Sequence, residues 1–223
     1  MPGSAAAEPL YFIDHDGRVF VVREGDKVRL PRRAEVPFAF AEKHQATILG
    51  RTVVFAGPLD KRHREDWPWK DDLPHLPGAD AVARTAGNVS QTRLVAKGAF
   101  FHQGKVLLLK DKVGYYRGKW SLPGGYLDYG ETPERCVVRE LEEEVGVLGE
   151  VRSLVRVDSQ VVPSGFHFLT FHYEGPALTD AFKLKDDEVE DARWVPLEEA
   201  VREVASEHSR AALRDLLERE RGA

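Results

Sequence analysis

The sequence contains a single cysteine, Cys136, which excludes an internal disulfide and any zinc module built on four cysteines or on two cysteines and two histidines. It has no apolar run near the roughly 20 residues that cross a bilayer, so we expect no contact with a membrane. Its first residues have neither the basic nor the apolar region of a secretory signal. We therefore expect a cytoplasmic protein.

Clustered basic residues are also missing. The formal net charge is −5, whereas proteins that bind nucleic acid broadly rely on concentrated lysine and arginine, so we expect no nucleic-acid partner. The Walker loop, the GxSxG and HExxH motifs and the Rossmann fingerprint are absent as well. What is present is an ordinary globular composition, with 42% hydrophobic and 31% charged residues.

The distribution of apolar runs divides the chain into a β-rich front part and a mixed second part. Leu10–Asp14 and Arg18–Glu24 flank an Asp-Gly turn, which predicts a hairpin. A segment rich in proline, glycine and charge follows, and from Thr92 onward strand-like and helix-like periods alternate, which is typical of an α/β domain. We predict a β-rich domain over residues 1–60, a linker or irregular connection over 61–91, and a second domain over 92–223.

The segment from Glu131 to Val147 has the spacing and the end signals of a helix. Thr132 suits the N-cap, Pro133 suits the first helical position, and Gly146 lies where a left-handed C-terminal residue is expected. We therefore predict that this helix begins at Thr132 and ends near Gly146.

Three glutamates share one face of the predicted helix. At 3.6 residues per turn, Glu143 and Glu144 lie within roughly 60° of Glu140, whereas Glu142 points to solvent. Like charges at this spacing weaken a helix by a few tenths of a kcal/mol per pair, a cost that a hard cation such as Mg²⁺ offsets. A solvated acidic face is the alternative interpretation. The apolar arc predicted to be buried contains Val137, Val138, Leu141 and Val145.

The segment from Gly125 to Val147 resembles the Nudix box, which reads Gly, five residues, Glu, seven residues, then Arg-Glu-apolar-any-Glu-Glu-any-Gly-apolar. It matches at every fixed position. Seven of these positions require one residue type, each at roughly 5–10% background usage, so a chance match is very improbable. The resemblance to the Nudix family implies an α/β/α sandwich around a mixed sheet. The predicted fold class is therefore α/β, a Nudix-type sandwich preceded by a smaller β-rich N-terminal domain.

The resemblance also implies an activity, a cofactor and site residues. Nudix enzymes are pyrophosphohydrolases that act on phosphorus-containing anhydrides, with Mg²⁺ or Mn²⁺ as the cofactor and a nucleotide-derived small molecule as the substrate. Glu140, Glu143 and Glu144 match the metal-binding glutamates, and Gly125 matches the glycine whose carbonyl oxygen often joins them.

Other residues match supporting or catalytic positions of the family. Glu131 and Arg139 match a pair that supports the box, and a late acidic segment resembles the one that contributes a further glutamate, with Glu188 preferred over Glu190. We predict Glu140, Glu144 and Glu188 as catalytic residues, and the identity of the general base among the glutamates stays open. Basic residues before the box are expected to bind phosphate: Lys110, Lys112, Arg117 and Lys119.

The expected substrate is ADP-ribose or a related nucleotide sugar or dinucleotide. Pro163 lies 17 residues beyond Gly146, close to but not at the position of a proline in the ADP-ribose branch of the family. The alternatives are hydrolysis of damaged nucleoside triphosphates and a non-catalytic nucleotide-binding regulator. Because the front domain is apolar and lies outside the hydrolase core, we also expect a homodimer.

Overall fold

The computed structural model describes residues 7–60, 62 and 64–222, and this part of the chain forms two compact units. The first unit contains the chain up to Thr92 together with Gln160–Phe168. The second contains Arg93–Ser159 and the chain from Leu169 onward. Residues 1–6, from which we expected no secretory signal, lie outside the described part, as do residues 61 and 63 of the expected linker.

A four-stranded sheet forms the centre of the first unit, in the order β2-β1-β6-β5, with β1 and β6 parallel. A separate two-stranded hairpin pairs β3 with β4. Side chains alternate along β1, so Phe12 faces one apolar cluster and Ile13 faces the other. The strands are β1 (Leu10–His15), β2 (Arg18–Phe20), β3 (Val22–Glu24), β4 (Lys27–Arg29), β5 (Phe40–Ile48) and β6 (Arg51–Pro58).

The region expected to be a linker contains a helix, α1 (Ala81–Val89). Asp80 caps it by accepting a 2.7 Å hydrogen bond from the Ala83 N–H, and Ala83 and Ala86 are buried in the core of the first unit. The expectation of irregular structure is thus wrong for this stretch. The helix was not predicted because it is short and directly follows a segment rich in proline and charge. The domain boundaries themselves stay a prediction.

The main sheet of the second unit has the order β10-β11-β7-β8-β12, and a short strand, β9, also pairs with β8. Strand β8 pairs antiparallel with β7, β9 and β12. The elements are β7 (Thr92–His102), β8 (Lys105–Asp111), β9 (Trp120–Ser121), α2 (Pro133–Val145), β10 (Ser153–Val161), β11 (His167–Pro176), β12 (Val189–Pro196), α3 (Leu197–Glu203) and α4 (Glu207–Gly222).

Alternation along β8 gives this sheet two apolar faces. Leu107 and Leu109 pack in one core with the buried residues of α2, whereas Val106 and Leu108 pack in another with α3 and α4. Helices therefore cover both faces, and the predicted α/β/α sandwich is confirmed. No helix in the described residues has both the length and the apolar composition needed to span a membrane.

The ends predicted for the helix that carries the glutamates are confirmed. Thr132 is the N-cap of α2, Pro133 occupies its first turn, and Gly146 ends it with a φ of 68°. Cys136 is fully buried on this helix, which we did not predict, whereas Val138 is only partly buried. The other predicted core residues, Val137, Leu141 and Val145, are fully buried.

Candidate active site

Two glutamates of α2 lie against the glycine-rich loop that follows β9. The Glu144 carboxylate accepts a 2.9 Å hydrogen bond from the backbone N–H of Gly124. The Glu140 carboxylate lies over the α-carbon of Gly125, where an added Cβ would be only 2.5 Å from Oε1. The absence of a side chain at Gly125 thus makes room for Glu140, and both carboxylates are held beside the same turn of chain.

Burial changes the acidity of these two carboxyl groups. Desolvation raises the pKa of Glu144 to about 7, against the opposing effects of the Lys97 ammonium and the Gly124 N–H. Desolvation also raises the pKa of Glu140, although the hydrogen bond and the charge of Arg139 act in the opposite direction. Two acids in a partly desolvated setting are costly unless a cation compensates for them.

Arg139 joins the loop to the helix. Its guanidinium makes a two-pronged ion pair with Glu131, with Nε–Oε1 and Nη2–Oε2 distances of 2.9 Å. The same group donates from Nη1 to Glu140 at 2.9 Å and to Glu143 at 3.2 Å. The Arg139 hydrogen bond lowers the pKa of Glu131 to about 2. This is the geometry that a support between loop and helix requires.

The residue types present are those that suit a hard divalent cation. Glu140, Glu143 and Glu144 offer carboxylate oxygens, and the Gly125 carbonyl is a further oxygen beside them, which accepts from the Ala96 N–H at 3.0 Å and weakly from the Cys136 thiol at 3.6 Å. In the described part of the chain, no three such side chains are already gathered at coordinating positions. The Glu143 side chain is 50% exposed and is bound, like that of Glu140, by Nη1 of Arg139.

The two late glutamates have different surroundings. Glu188 pairs with Lys185 at 2.9 Å, and the backbone N–H of Lys185 donates to the Glu144 carbonyl at 2.9 Å. Lys185 therefore connects Glu188 to the end of α2. Glu190 instead pairs with Lys110 at 2.6 Å, on the neighbouring strand β8.

The four basic residues expected to bind phosphate are not equivalent. Lys110 is bound to Glu190, and Lys112 donates to the Asp186 carbonyl. Arg117 and Lys119 are exposed in the turn between β8 and β9, and no ion pair within the described residues involves either of them. Within the described residues, their charges are therefore not neutralised by an ion pair, unlike the charge of Lys110.

The prediction from sequence did not include Lys97 and Asp111. Lys97 donates to the carbonyls of Leu122 and Gly124, and Asp111 accepts a 2.7 Å hydrogen bond from the Ser121 hydroxyl. Burial raises the pKa of Asp111. A lysine within the apolar run of β7 is unusual, and that is the signal that could have identified it.

Comparison with known proteins supports the assignment that the box suggested. The sequence profile of the NUDIX domain matches residues 92–216, which is more than half of the chain. The crystal structure of a MutT NUDIX hydrolase from Burkholderia pseudomallei superposes with a TM-score of 0.50 and 30% identity, covering 56% of this chain and 98% of that one. The chain belongs to the Nudix family.

Two named relatives are similar over shorter segments. An ADP-ribose pyrophosphatase from Methanocaldococcus jannaschii is 47% identical over 55 residues, which cover 25% of this chain and 32% of the relative. The NAD-capped RNA hydrolase NudC from Pseudomonas aeruginosa is 35% identical over 96 residues, which cover 43% of this chain and 34% of the relative. The matched segments thus span about a third of the length of these relatives.

Proposed function

We propose that this protein is a Mg²⁺-dependent enzyme that hydrolyses the diphosphate linkage of a nucleoside diphosphate derivative, with ADP-ribose as the preferred candidate. One observation carries the proposal. The complete set of box glutamates is intact, and two of them, Glu140 and Glu144, lie together against the loop at Gly124 and Gly125. A nucleotide-binding regulator without activity has no need of this full set.

Glu140, Glu143 and Glu144 would hold the metal, with the Gly125 carbonyl as a further oxygen ligand. When bound, Mg²⁺ supplies charge neutralisation at the diphosphate and makes a coordinated water more acidic. The protein's own part is to keep these carboxylates in one place. Arg139 and Glu131 do so by fixing the loop to the helix.

A carboxylate must also accept the proton of the attacking water. Glu140, Glu144 and Glu188 are the candidates, and Glu188 is supported by its connection through Lys185 to the end of α2. Phosphate oxygens are expected to meet Arg117 and Lys119, whose charges are not used in ion pairs within the described residues. Lys110 and Lys112 would have to give up their present contacts to contribute.

The choice of ADP-ribose rests on the M. jannaschii relative, which is named an ADP-ribose pyrophosphatase and matches the chain at 47% identity over 55 residues. The named NAD-capped RNA hydrolase keeps dinucleotides among the candidates. In each case the bond to be cleaved joins two phosphates, so one arrangement of glutamates serves all of these substrates.

The experiment compares Glu144→Gln with Glu142→Gln in a substrate panel assayed with and without Mg²⁺. The panel contains ADP-ribose, NADH, a diadenosine polyphosphate and an oxidised nucleoside triphosphate. We expect the wild type to release AMP and ribose 5-phosphate from ADP-ribose. Glu144→Gln should lower kcat/KM by roughly 100-fold or more because a metal ligand loses its charge.

Glu142→Gln is the matched control, since Glu142 is an exposed neighbour in the same acidic run. It should leave the rate unchanged. Near-normal turnover of Glu144→Gln at saturating Mg²⁺ would contradict the ligand assignment. Tight nucleotide binding with no hydrolysis of any substrate would favour a regulator instead. We also propose a homodimer, which light scattering of the 223-residue chain tests directly.

A further inference from the structure

Three consecutive residues of β7 bind four consecutive carbonyl groups of the loop between β9 and α2. The Gly98 N–H donates to the Pro123 carbonyl at 2.9 Å, and the Ala96 N–H donates to the Gly125 carbonyl at 3.0 Å. Between them, the Lys97 ammonium donates to the two remaining carbonyls: Leu122 at 3.0 Å and Gly124 at 2.7 Å.

The Leu122–Gly125 loop depends on these hydrogen bonds more than most loops would. Gly124 has a φ of 133°, which L-residues rarely adopt, and a Cβ at this position would be 2.1 Å from the Ala96 carbonyl oxygen. Two adjacent glycines also lose more conformational entropy on ordering than other residues do. The Gly124 N–H nevertheless has to be held in place, because it is the donor to Glu144.

The presence of a lysine at position 97, rather than an apolar residue, indicates a specific role for its ammonium group. Lysine loses considerable rotamer entropy when it is ordered, and a half-buried ammonium also loses hydration. Here two of its three donors are used on the loop, and its charge lies close enough to act on Glu140, Glu144 and Asp111. No backbone contact could supply both the donors and the charge.

We propose that Lys97 is a positioning residue, which holds the Leu122–Gly125 loop in the conformation that presents the Gly124 N–H to Glu144. The loop, and not a contact with substrate, transmits its effect to the site. The effect on catalysis rests on the proposed function, whereas the effect on the loop does not.

The first test uses hydrogen–deuterium exchange of the metal-free protein, followed on peptides that cover residues 122–126. Lys97→Met should raise their exchange rate by roughly tenfold or more, since hydrogen bonds from a charged donor are stronger than neutral ones. Lys97→Arg, which keeps the charge and the donors, should stay closer to the wild type. Lys105→Met, at an exposed lysine of β8, is the control and should not change the loop.

The second test measures Mn²⁺ affinity by electron paramagnetic resonance, together with steady-state kinetics. Lys97→Met should weaken Mn²⁺ binding and lower kcat by roughly 10- to 100-fold, with a smaller change in KM. Unchanged loop exchange would overturn the proposal. Tighter Mn²⁺ binding would overturn it too, because it would mean that Lys97 acts as a competing charge.

The proposal can still be tested if Lys97→Met does not fold or if the proposed function is wrong. If Lys97→Met is unfolded by circular dichroism, Lys97→Arg decides the matter. Intermediate loop exchange with intermediate Mn²⁺ affinity supports positioning, and wild-type exchange with altered Mn²⁺ affinity opposes it. The wild type could also prove to hydrolyse none of the substrates. If Lys97→Met still showed faster loop exchange in that case, Lys97 would remain the residue that holds the loop, and only the proposed function would be contradicted.

Discussion

Glu140 occupies the space that a side chain at Gly125 would fill. An added Cβ would lie 2.5 Å from Oε1 and 2.8 Å from Cδ of the Glu140 carboxylate. The next atom, Oε2 of the same carboxylate, would be 3.2 Å away, so the conflict is with the flexible end of one side chain. The glycine is therefore required by the position of a proposed metal ligand.

Gly125→Ala should lower the enzymatic activity strongly and the stability of the fold only slightly. The Glu140 carboxylate must move away, which should lower kcat/KM by roughly 10- to 100-fold. A shifted rotamer costs only about 0.5–1.5 kcal/mol, so the free energy of unfolding should fall little. Kinetics and urea unfolding measure the two effects on the same preparation.

Gly124→Ala is the matched comparison for this prediction. Its positive φ is strained for alanine by roughly 1–3 kcal/mol, and its Cβ would meet the Ala96 backbone oxygen at 2.1 Å, which cannot move as a side chain does. This variant should be clearly destabilised. If Gly125→Ala lost as much stability as Gly124→Ala, a general disruption of the loop would explain its lost activity better than Glu140 does.

Local patterns were sufficient to predict α2. The cap at Thr132, the left-handed Gly146 and the glutamates at positions 140, 143 and 144 all lie within one short segment, where spacing alone determines the side of the helix on which a residue lies. Predictions of this kind succeed because they depend only on residues that are close together in the sequence. The sandwich around the sheet, in contrast, was predicted only through the resemblance to the Nudix family, since the apolar run of β8 does not by itself show that both faces are covered.

Contacts between residues that are far apart in the sequence could not be predicted from local patterns. Lys97 binds carbonyls 25 and 27 residues away, and nothing in the composition of β7 states where that ammonium points. Asp111 likewise meets Ser121 only because β8 and β9 pair. Helix α1 was not predicted for a different reason, since its 9 residues directly follow a segment rich in proline and charge, which favours a loop.

The ion pair between Glu131 and Arg139 should make stability depend on pH in the acid range. The pKa of Glu131 is lowered from 4.5 to about 2 by the Arg139 hydrogen bond, so the unfolded state binds the proton first as pH falls. The stabilisation is complete above pH 4.5 and is lost progressively toward pH 2. Urea unfolding of the wild type and Glu131→Gln at several pH values measures the difference.

That difference should be largest above pH 4.5 and should shrink as the solution becomes more acidic. Glu142→Gln controls for the loss of one carboxylate, because this residue is exposed and outside the pair. A difference between the wild type and Glu131→Gln that stayed constant down to the lowest pH would show that the carboxylate charge contributes nothing to the support of the loop.

His172 should produce a second pH dependence, at mildly acidic pH. Its side chain is 1% exposed, with Nε2 at 3.2 Å from the Ser209 hydroxyl and Nδ1 at 3.2 Å from Asp158. Burial lowers its pKa from 6.5 to about 4, although the negative charge of Asp158 opposes the shift. Between these two values the unfolded state binds a proton that the folded state does not, so stability should fall as pH falls.

His172→Gln, which keeps a hydrogen-bonding group toward Ser209, should flatten the stability profile between pH 6.5 and pH 4 when unfolding by urea is followed at intervals across that range. His208→Gln is the control, because His208 also faces Asp158, at 3.4 Å, but its side chain is 33% exposed. Because His208 is much less buried than His172, its replacement should leave most of the slope. Equal flattening by the two variants would contradict the assignment of the slope to the buried His172.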